Sequence, residues 1–335
     1  MGADPFPGRK EFSDLSNYVN PQLAPTTRPP RPVDKKMRLK ESGGVASWVM
    51  LAPSLIFLAV CSIYPFAWIF RYVLFNYDGI PAHTRYTGMR NITNMFADAK
   101  FWNSVGTTFE YALWKLVFII PLALIMAVLL NQKLRGSSFF RGVFFMPTVI
   151  SSSISGMIFT FIFATGNGIL NGIFQSLGLI AQPVGWLTDT GVVMAAVIIM
   201  SVWAGFGNYM LYFVTGMTSI SEDVYEASRI DGANGVQTFF RITLPMLAPV
   251  LKVVLMLAIT GAFKDYEAIM VLTNGGPGTR TNVMFLYIYN LIFGTGSNAT
   301  RQIGYGALLS LMAAVIVGAV TIVYNIVAKK LDDVV

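Results

Sequence analysis

The stretch EASRIDGANGVQTFFRITLP, residues 226–245, is polar and turns in its middle, yet it lies between two long apolar runs, 190–216 and 246–272. Just upstream, Ser219-Ile220-Ser221-Glu222 has the Ser-x-x-Glu form of a capping box. In that form the Ser219 hydroxyl satisfies a free amide and Glu222 reaches back to the cap. The spacing predicts a short helix over about 220–231. Gly232 falls where a helix needs a left-handed terminator, and Asn234 is placed to cap a second helix running to Pro245. Val224, Ala227 and Ile230 are spaced by three and are expected to share a face, with Glu226 off it. A well-capped connector and a docking element both fit this pattern.

Outward from this segment the chain is apolar. Of 335 residues 54% are hydrophobic and only 12% charged, against about 25% charged in ordinary soluble domains. The mean hydropathy is +0.59. An integral membrane protein follows. Six runs reach the roughly 20 residues a helix needs to span a bilayer: 46–70, 104–131, 142–164, 190–216, 246–272 and 303–328. The fold expected is all-α and polytopic, with a polar, proline-rich N-terminal tail over 1–45 and a transmembrane domain over 46–330. The tail holds too few apolar residues to build a core and is expected to be flexible.

Six spans put both termini on one side of the membrane. Fifteen Lys and Arg residues fall on that side, among them Lys35, Lys36, Arg38, Lys40, Lys133, Arg135, Lys329 and Lys330, against six on the other. The bias predicts cytoplasmic termini and a cytoplasmic 217–245 loop. The loops 71–103, 165–189 and 273–302 then face outward. The first carries Tyr72, Tyr77, Tyr86 and Trp102. The second has Ile169, Ile173 and Leu177 at helical spacing. The third contains the glycine-proline turn TNGGPGTRT.

The net charge of +7 is explained by these basic loops and gives no reason to expect nucleic acid. Cys61 is the only cysteine and His83 the only histidine, which excludes an intrachain disulfide and leaves almost no material for a histidine metal cluster or a Ser-His-Asp triad. No lysine is followed by Ser or Thr, so the chain has no phosphate-binding Gly-Lys-Ser/Thr loop.

Glu226-Ala227-Ser228, then Gly232, then Ile242-x-Leu244-Pro245 resembles the signature of permease subunits of bacterial ABC importers, E-A-A-x-x-x-G, nine residues, then I-x-L-P. Ser228 stands where that pattern has alanine. RGVFFMPTVISSSISGMIFTFIF at 141–163, VLTNGGPGTRTNVMFLYIYNLIF at 271–293 and IGYGALLSLMAAVIV at 303–317 resemble the carbohydrate-uptake branch. The resemblance covers about residues 46–330. It implies a type I permease fold, with the first helix of the 217–245 loop as a coupling helix docked on an ATPase. Glu226, Ala227, Ser228, Gly232, Ile242, Leu244 and Pro245 are the coupling residues it implies. It also implies a second homologous permease, two cytoplasmic ATPase subunits carrying MgATP, an external or periplasmic binding protein and a saccharide substrate. The chain itself would bind no cofactor and catalyse no reaction, and its remaining partner would be membrane lipid.

Charges inside a span are costly and mark functional sites. Lys264, Asp265 and Glu267 lie within the fifth run, and Glu267 follows Lys264 by three, so the two are expected to face the same way. They form either a structural ion pair between spans or the polar lining of a translocation path. In the fourth run Trp203, Phe206, Asn208 and Tyr209 offer aromatic faces, an amide and a hydroxyl suited to a sugar ring, or else simple core packing. Glu110 and Lys115 form a second intramembrane pair. Two other readings stay open: a permease for a glycerol phosphate ester or polyamine, and an ion-coupled carrier or membrane-embedded enzyme.

Overall fold

The computed structural model describes residues 44–132, 136–295 and 300–332. The tail over 1–43 and the basic residues Lys133 and Arg135 lie outside the described residues. The chain divides at Pro65–Phe66 into two compact units. The described part of the first is helix α1, Gly44–Leu58, with Pro53 inside it, followed by a π-helical turn over Ala59–Ile63.

The second unit begins in α2, Tyr64–Val73, which leads into a two-residue antiparallel pair, β1 Phe75–Asn76 with β2 Arg85–Tyr86. Helices α3 Arg90–Ala97 and α4 Ala99–Asn131 follow. Next come α5 Ser137–Val149, α6 Ser152–Ile162, the short α7 Ile169–Ser176, and α8 Val193–Thr218. The polar loop contains α9 Glu222–Ile230, α10 Gly235–Thr238 and α11 Leu244–Met246, with a π-helical turn at Phe239–Thr243 between the last two. The chain ends in α12 Ala248–Lys264, α13 Glu267–Leu272, α14 Met284–Phe293 and α15 Ile303–Asp332.

Among the described residues four helices are long and apolar enough to cross a membrane: Ser47–Val73, Ala99–Asn131, Val193–Thr218 and Ile303–Lys330. Two bent pairs bring the number to six, α5 with α6 at 97° and Gly235–Met246 with Ala248–Leu272 at 73°. The expected third span, 142–164, is therefore not one straight helix. Ile150 and Ser151 take extended backbone between α5 and α6.

The second span starts at Ala99 instead of 104, because Asp98 caps it. One Asp98 oxygen accepts from the amides of Lys100 and Phe101 at 3.0 and 3.1 Å. The expected outer loops also carry more order than their composition predicts. The 71–103 segment holds the β-pair and α3. The 273–302 segment holds α14, whose Met284, Ile288 and Leu291 are buried against α15. In α7 the predicted spacing is present, but Ile169, Ile173 and Leu177 are exposed, and Asn171 is the residue buried.

Helix α8 is the central span, with 61% of its apolar stretch buried against 28% for α4. Small residues permit its close packing. A Cβ at Gly207 would collide with the backbone of Phe144 and Phe145 in α5, and Ala123 and Ala127 of α4 are fully buried beside Met210 and Phe213. Lipid tails are as apolar as leucine, so such close approach, and not exclusion of water, holds spans together.

Candidate functional site

In the 217–245 loop a tight turn joins α9 to α10. Helix α9 begins at Glu222 and not near 220, with Ser221 as its N-cap. The predicted capping box at Ser219 does not form. Ser219 stays in helical conformation at the end of α8, and its hydroxyl donates to the Gly216 carbonyl at 2.7 Å. An N-cap needs extended backbone, and Ser219 at φ −82°, ψ −12° does not have it. Glu222 and Asp223 sit in the first turn of α9 and Arg229 in the last, which suits the helix dipole at both ends.

Gly232 is left-handed at φ 77°. It lets the Ala233 amide donate back to the Ser228 carbonyl at 3.0 Å and the Gly232 amide to Arg229 at 3.1 Å, which closes the helix end. Asn234 forms the capping box predicted for it: its Oδ1 accepts from the Gln237 amide at 2.9 Å, and Gln237 Oε1 accepts from the Asn234 amide at 3.0 Å.

Ser228 is buried, and its Oγ lies 2.8 Å from Thr238 Oγ1. The hydroxyl at the position where the family pattern has alanine therefore ties α9 to α10. Val224 turns inward with Tyr225, whereas Ala227 and Ile230 are exposed, so the predicted three-residue stripe does not share one environment. Glu226 and Pro245 are exposed, and Ile242 and Leu244 half-buried. The outer surface of the loop presents Ile230, Val236 and Phe240, with Ile230 85% exposed.

The second site lies at a break in the fifth span. Asp265 (φ −76°, ψ 112°) and Tyr266 (φ −141°, ψ −25°) leave the helix between α12 and α13. The expectation that Lys264 and Glu267 share a helical face fails here, because no continuous turn joins them. Both are exposed, and neither has an ion-pair partner among the described residues.

Asp265 instead turns to α4. Its Oδ2 accepts from Lys115 Nζ at 2.7 Å and from the Tyr111 hydroxyl at 2.5 Å. Ser201 Oγ of α8 lies 2.8 Å from that same hydroxyl. Tyr111 and Ser201 are buried. Glu110, grouped with Lys115 by sequence, binds Arg280 in a fork at 2.6 and 2.7 Å. Its carboxylate holds the Arg280 guanidinium above its usual range through these hydrogen bonds. From Tyr266 a run of aromatic rings continues through Tyr289, 5.6 Å away, to Phe293, 4.5 Å further.

The four residues expected in the fourth span divide. Trp203 and Phe206 line a cavity of about 770 Å³ between α4 and α8. Neither Asn208 nor Tyr209 lines it, nor do Lys264, Asp265 and Glu267. The Tyr209 hydroxyl lies against Gly261 of α12. Sequence reasoning missed Tyr111, Ser201, Arg280 and Tyr289. A signal existed for Arg280, a lone charge in an otherwise uncharged turn, and none for Tyr111 among the chain's 14 tyrosines.

Residues 119–333 match the model of the family described as "Binding-protein-dependent transport system inner membrane component". The chain belongs to this family. Its relatives include the "Lactose transport system permease protein LacF" of Rhizobium radiobacter, 31% identical over 76% of this chain and 86% of that one. The "Multiple sugar-binding transport system permease protein MsmF" of Streptococcus mutans is 30% identical over 85% of this chain and 96% of that one. Among solved structures, a bacterial ABC transporter involved in the import of the acidic polysaccharide alginate superposes with a TM-score of 0.74. It is 20% identical and covers 88% of this chain and 99% of that one. This permease therefore has the ABC importer permease fold.

Proposed function

We propose that this permease carries a saccharide across the bacterial plasma membrane, with its termini and the α9–α10 loop in the cytoplasm. The observation that carries the reading is the broken fifth span. Its break exposes Lys264 and Glu267 at a depth where an unpaired charge facing lipid costs about 2.5–3.5 kcal/mol. Beside it runs the Tyr266–Tyr289–Phe293 series, flat faces on which a sugar ring stacks. A polar break beside aromatic rings supports a water-filled path with weak, multiple contacts. Asp265, fixed by Lys115 and Tyr111, holds the break open. Asn208 and Tyr209 stand on the neighbouring span.

In this reading α9 is the coupling helix. Gly232 sets its turn, Ser228 stiffens it against α10, and Glu226, Ala227 and Ile230 face a cytoplasmic ATPase. MgATP is hydrolysed on two such subunits and not on this chain, and a second homologous permease completes the path. An external binding protein delivers the sugar. The relatives that transport lactose and multiple sugars support the substrate class. Uptake of the sugar carried by the cognate binding protein tests the reading. Lys264→Gln and Glu267→Gln should each lower uptake or change sugar preference while the complex still assembles. Wild-type uptake and preference in both variants would overturn it.

A further inference from the structure

The cavity between α4 and α8 does not resemble a sugar site. One wall is a single stripe of α4, with Glu110, Trp114, Phe118 and Leu122 four residues apart. The other is α8, with Met194, Ile198 and Val202 facing across. Apart from Glu110 and Arg280 every lining residue is apolar, so the walls offer almost nothing to a ring of hydroxyls. The volume of about 770 Å³ is that of a ligand site, usually about 300–1,000 Å³.

Its depth is informative. At 1.5 Å per residue, Glu110 lies about 32 Å from the far end of α4 at Asn131, roughly the thickness of the hydrocarbon core. The Glu110–Arg280 pair thus stands at the level where headgroups begin. From Glu110 to Leu122 is about 18 Å, close to one leaflet. A packed transmembrane helix would need a groove through both leaflets, and this one stops near the midplane.

The charges at its mouth select further. Arg280 and Glu110 side chains are 43% and 33% exposed, so both remain open to a ligand above them. A guanidinium beside a carboxylate complements a phosphate beside an ammonium. We propose that this groove holds an acyl chain of a zwitterionic aminophospholipid, its phosphate on Arg280 and its ammonium on Glu110. Trp203 and Phe206 then form part of a lipid seat and are not in the sugar path. The inference stands on the groove alone and is independent of which solute is carried.

The test uses the full chain in its native complex. Ile199, exposed on the groove wall, is replaced by photoreactive p-benzoylphenylalanine. The complex is reconstituted in vesicles of equal phosphatidylethanolamine and phosphatidylglycerol, irradiated and read by mass spectrometry. Phosphatidylethanolamine adducts are expected to exceed phosphatidylglycerol adducts by about tenfold, the effect of one charge-assisted contact. In Glu110→Gln with Arg280→Gln the adducts should persist and the preference vanish. Equal adducts of the two lipids in the otherwise wild-type chain would mean an adventitious lipid and overturn the proposal. So would cross-links to a neighbouring polypeptide, to added saccharide, or to nothing. Native mass spectrometry of the unsubstituted complex, washed in detergent, provides a second reading. Retained phosphatidylethanolamine supports the seat, and its absence refutes it.

Discussion

Replacing Lys115 by Gln removes the cation from a carboxylate held inside the bundle. Lys115 and Asp265 side chains are only 12% and 21% exposed and meet at 2.7 Å. Breaking such a pair from one side costs about 3–5 kcal/mol, because the remaining charge is buried without compensation. The lower end applies here. Asp265 keeps some access to solvent, and the Tyr111 hydroxyl still donates to it. About 3 kcal/mol is therefore expected for Lys115→Gln, more than a hundredfold in the folding equilibrium. Lys115→Gln combined with Asp265→Asn leaves two neutral groups able to bond each other, and should return to within about 1 kcal/mol of wild type. The second substitution then restores about 2 kcal/mol, well above the scatter of independent sites. Denaturant titration of the purified permease in lipid–detergent mixtures measures it. A single variant as stable as wild type would refute the assignment of a buried pair. A double variant no better than Lys115→Gln would refute the compensation argument.

Gly232→Val forces a branched residue into a left-handed position, at about 1–2 kcal/mol. The spans should insert normally while the ATPase subunits are lost on purification, and normal ATPase retention with normal uptake would count against the coupling role. Asp78 accepts from His83 Nδ1 at 2.8 Å and from the Ile80 amide at 2.9 Å. The hydrogen bond from His83, foremost, holds its carboxyl below the usual carboxylate range. The folded form of this loop therefore gains stability above the ordinary aspartate pKa, and loses it as the pH falls through the lowered value. Proteolysis of the 77–86 loop should rise in that acid window, and Asp78→Asn should abolish the dependence. A cleavage profile unchanged by the substitution would show that another group titrates.

Features set by neighbours in the chain were legible in the sequence. Each apolar run became a span or a bent pair, because length and hydropathy are local properties. Gly232 and Asn234 occupied the conformations predicted for them, since a left-handed terminator and a capping amide act over three or four residues. Ser219 differs because an N-cap needs extended backbone, and only the exact end of α8 decides that this residue stays helical. The charges misled for a different reason. Lys264 was paired with Glu267 on the assumption of an unbroken helix, but Asp265 found its partners 150 and 154 positions away in Lys115 and Tyr111. The chain leaves helix at Asp265, where those contacts form, and sequence spacing carries no trace of a partner that distant. The division of Trp203 and Phe206 from Asn208 and Tyr209 is likewise set by where α4 lies against α8.

Asp98 has a consequence for how this permease can move. One of its oxygens takes two amides at the start of α4, and the other takes the hydroxyls of Tyr287 in α14 and Tyr305 in α15, at 2.9 and 2.8 Å. Four donors fill most of the acceptor capacity of one carboxylate. Sliding α14 or α15 past α4 at this end breaks a charge-assisted bond worth about 1.5–3 kcal/mol. The three helix ends therefore travel together as one rivet, and the bending has to be absorbed elsewhere. At Ile150–Ser151 the helical ladder is already interrupted, whereas flexing at Asp265–Tyr266 also strains the Lys115 and Tyr111 bonds to Asp265. The break in the third span is therefore the cheaper place to bend, while the ends of the second and sixth stay tied together through Asp98.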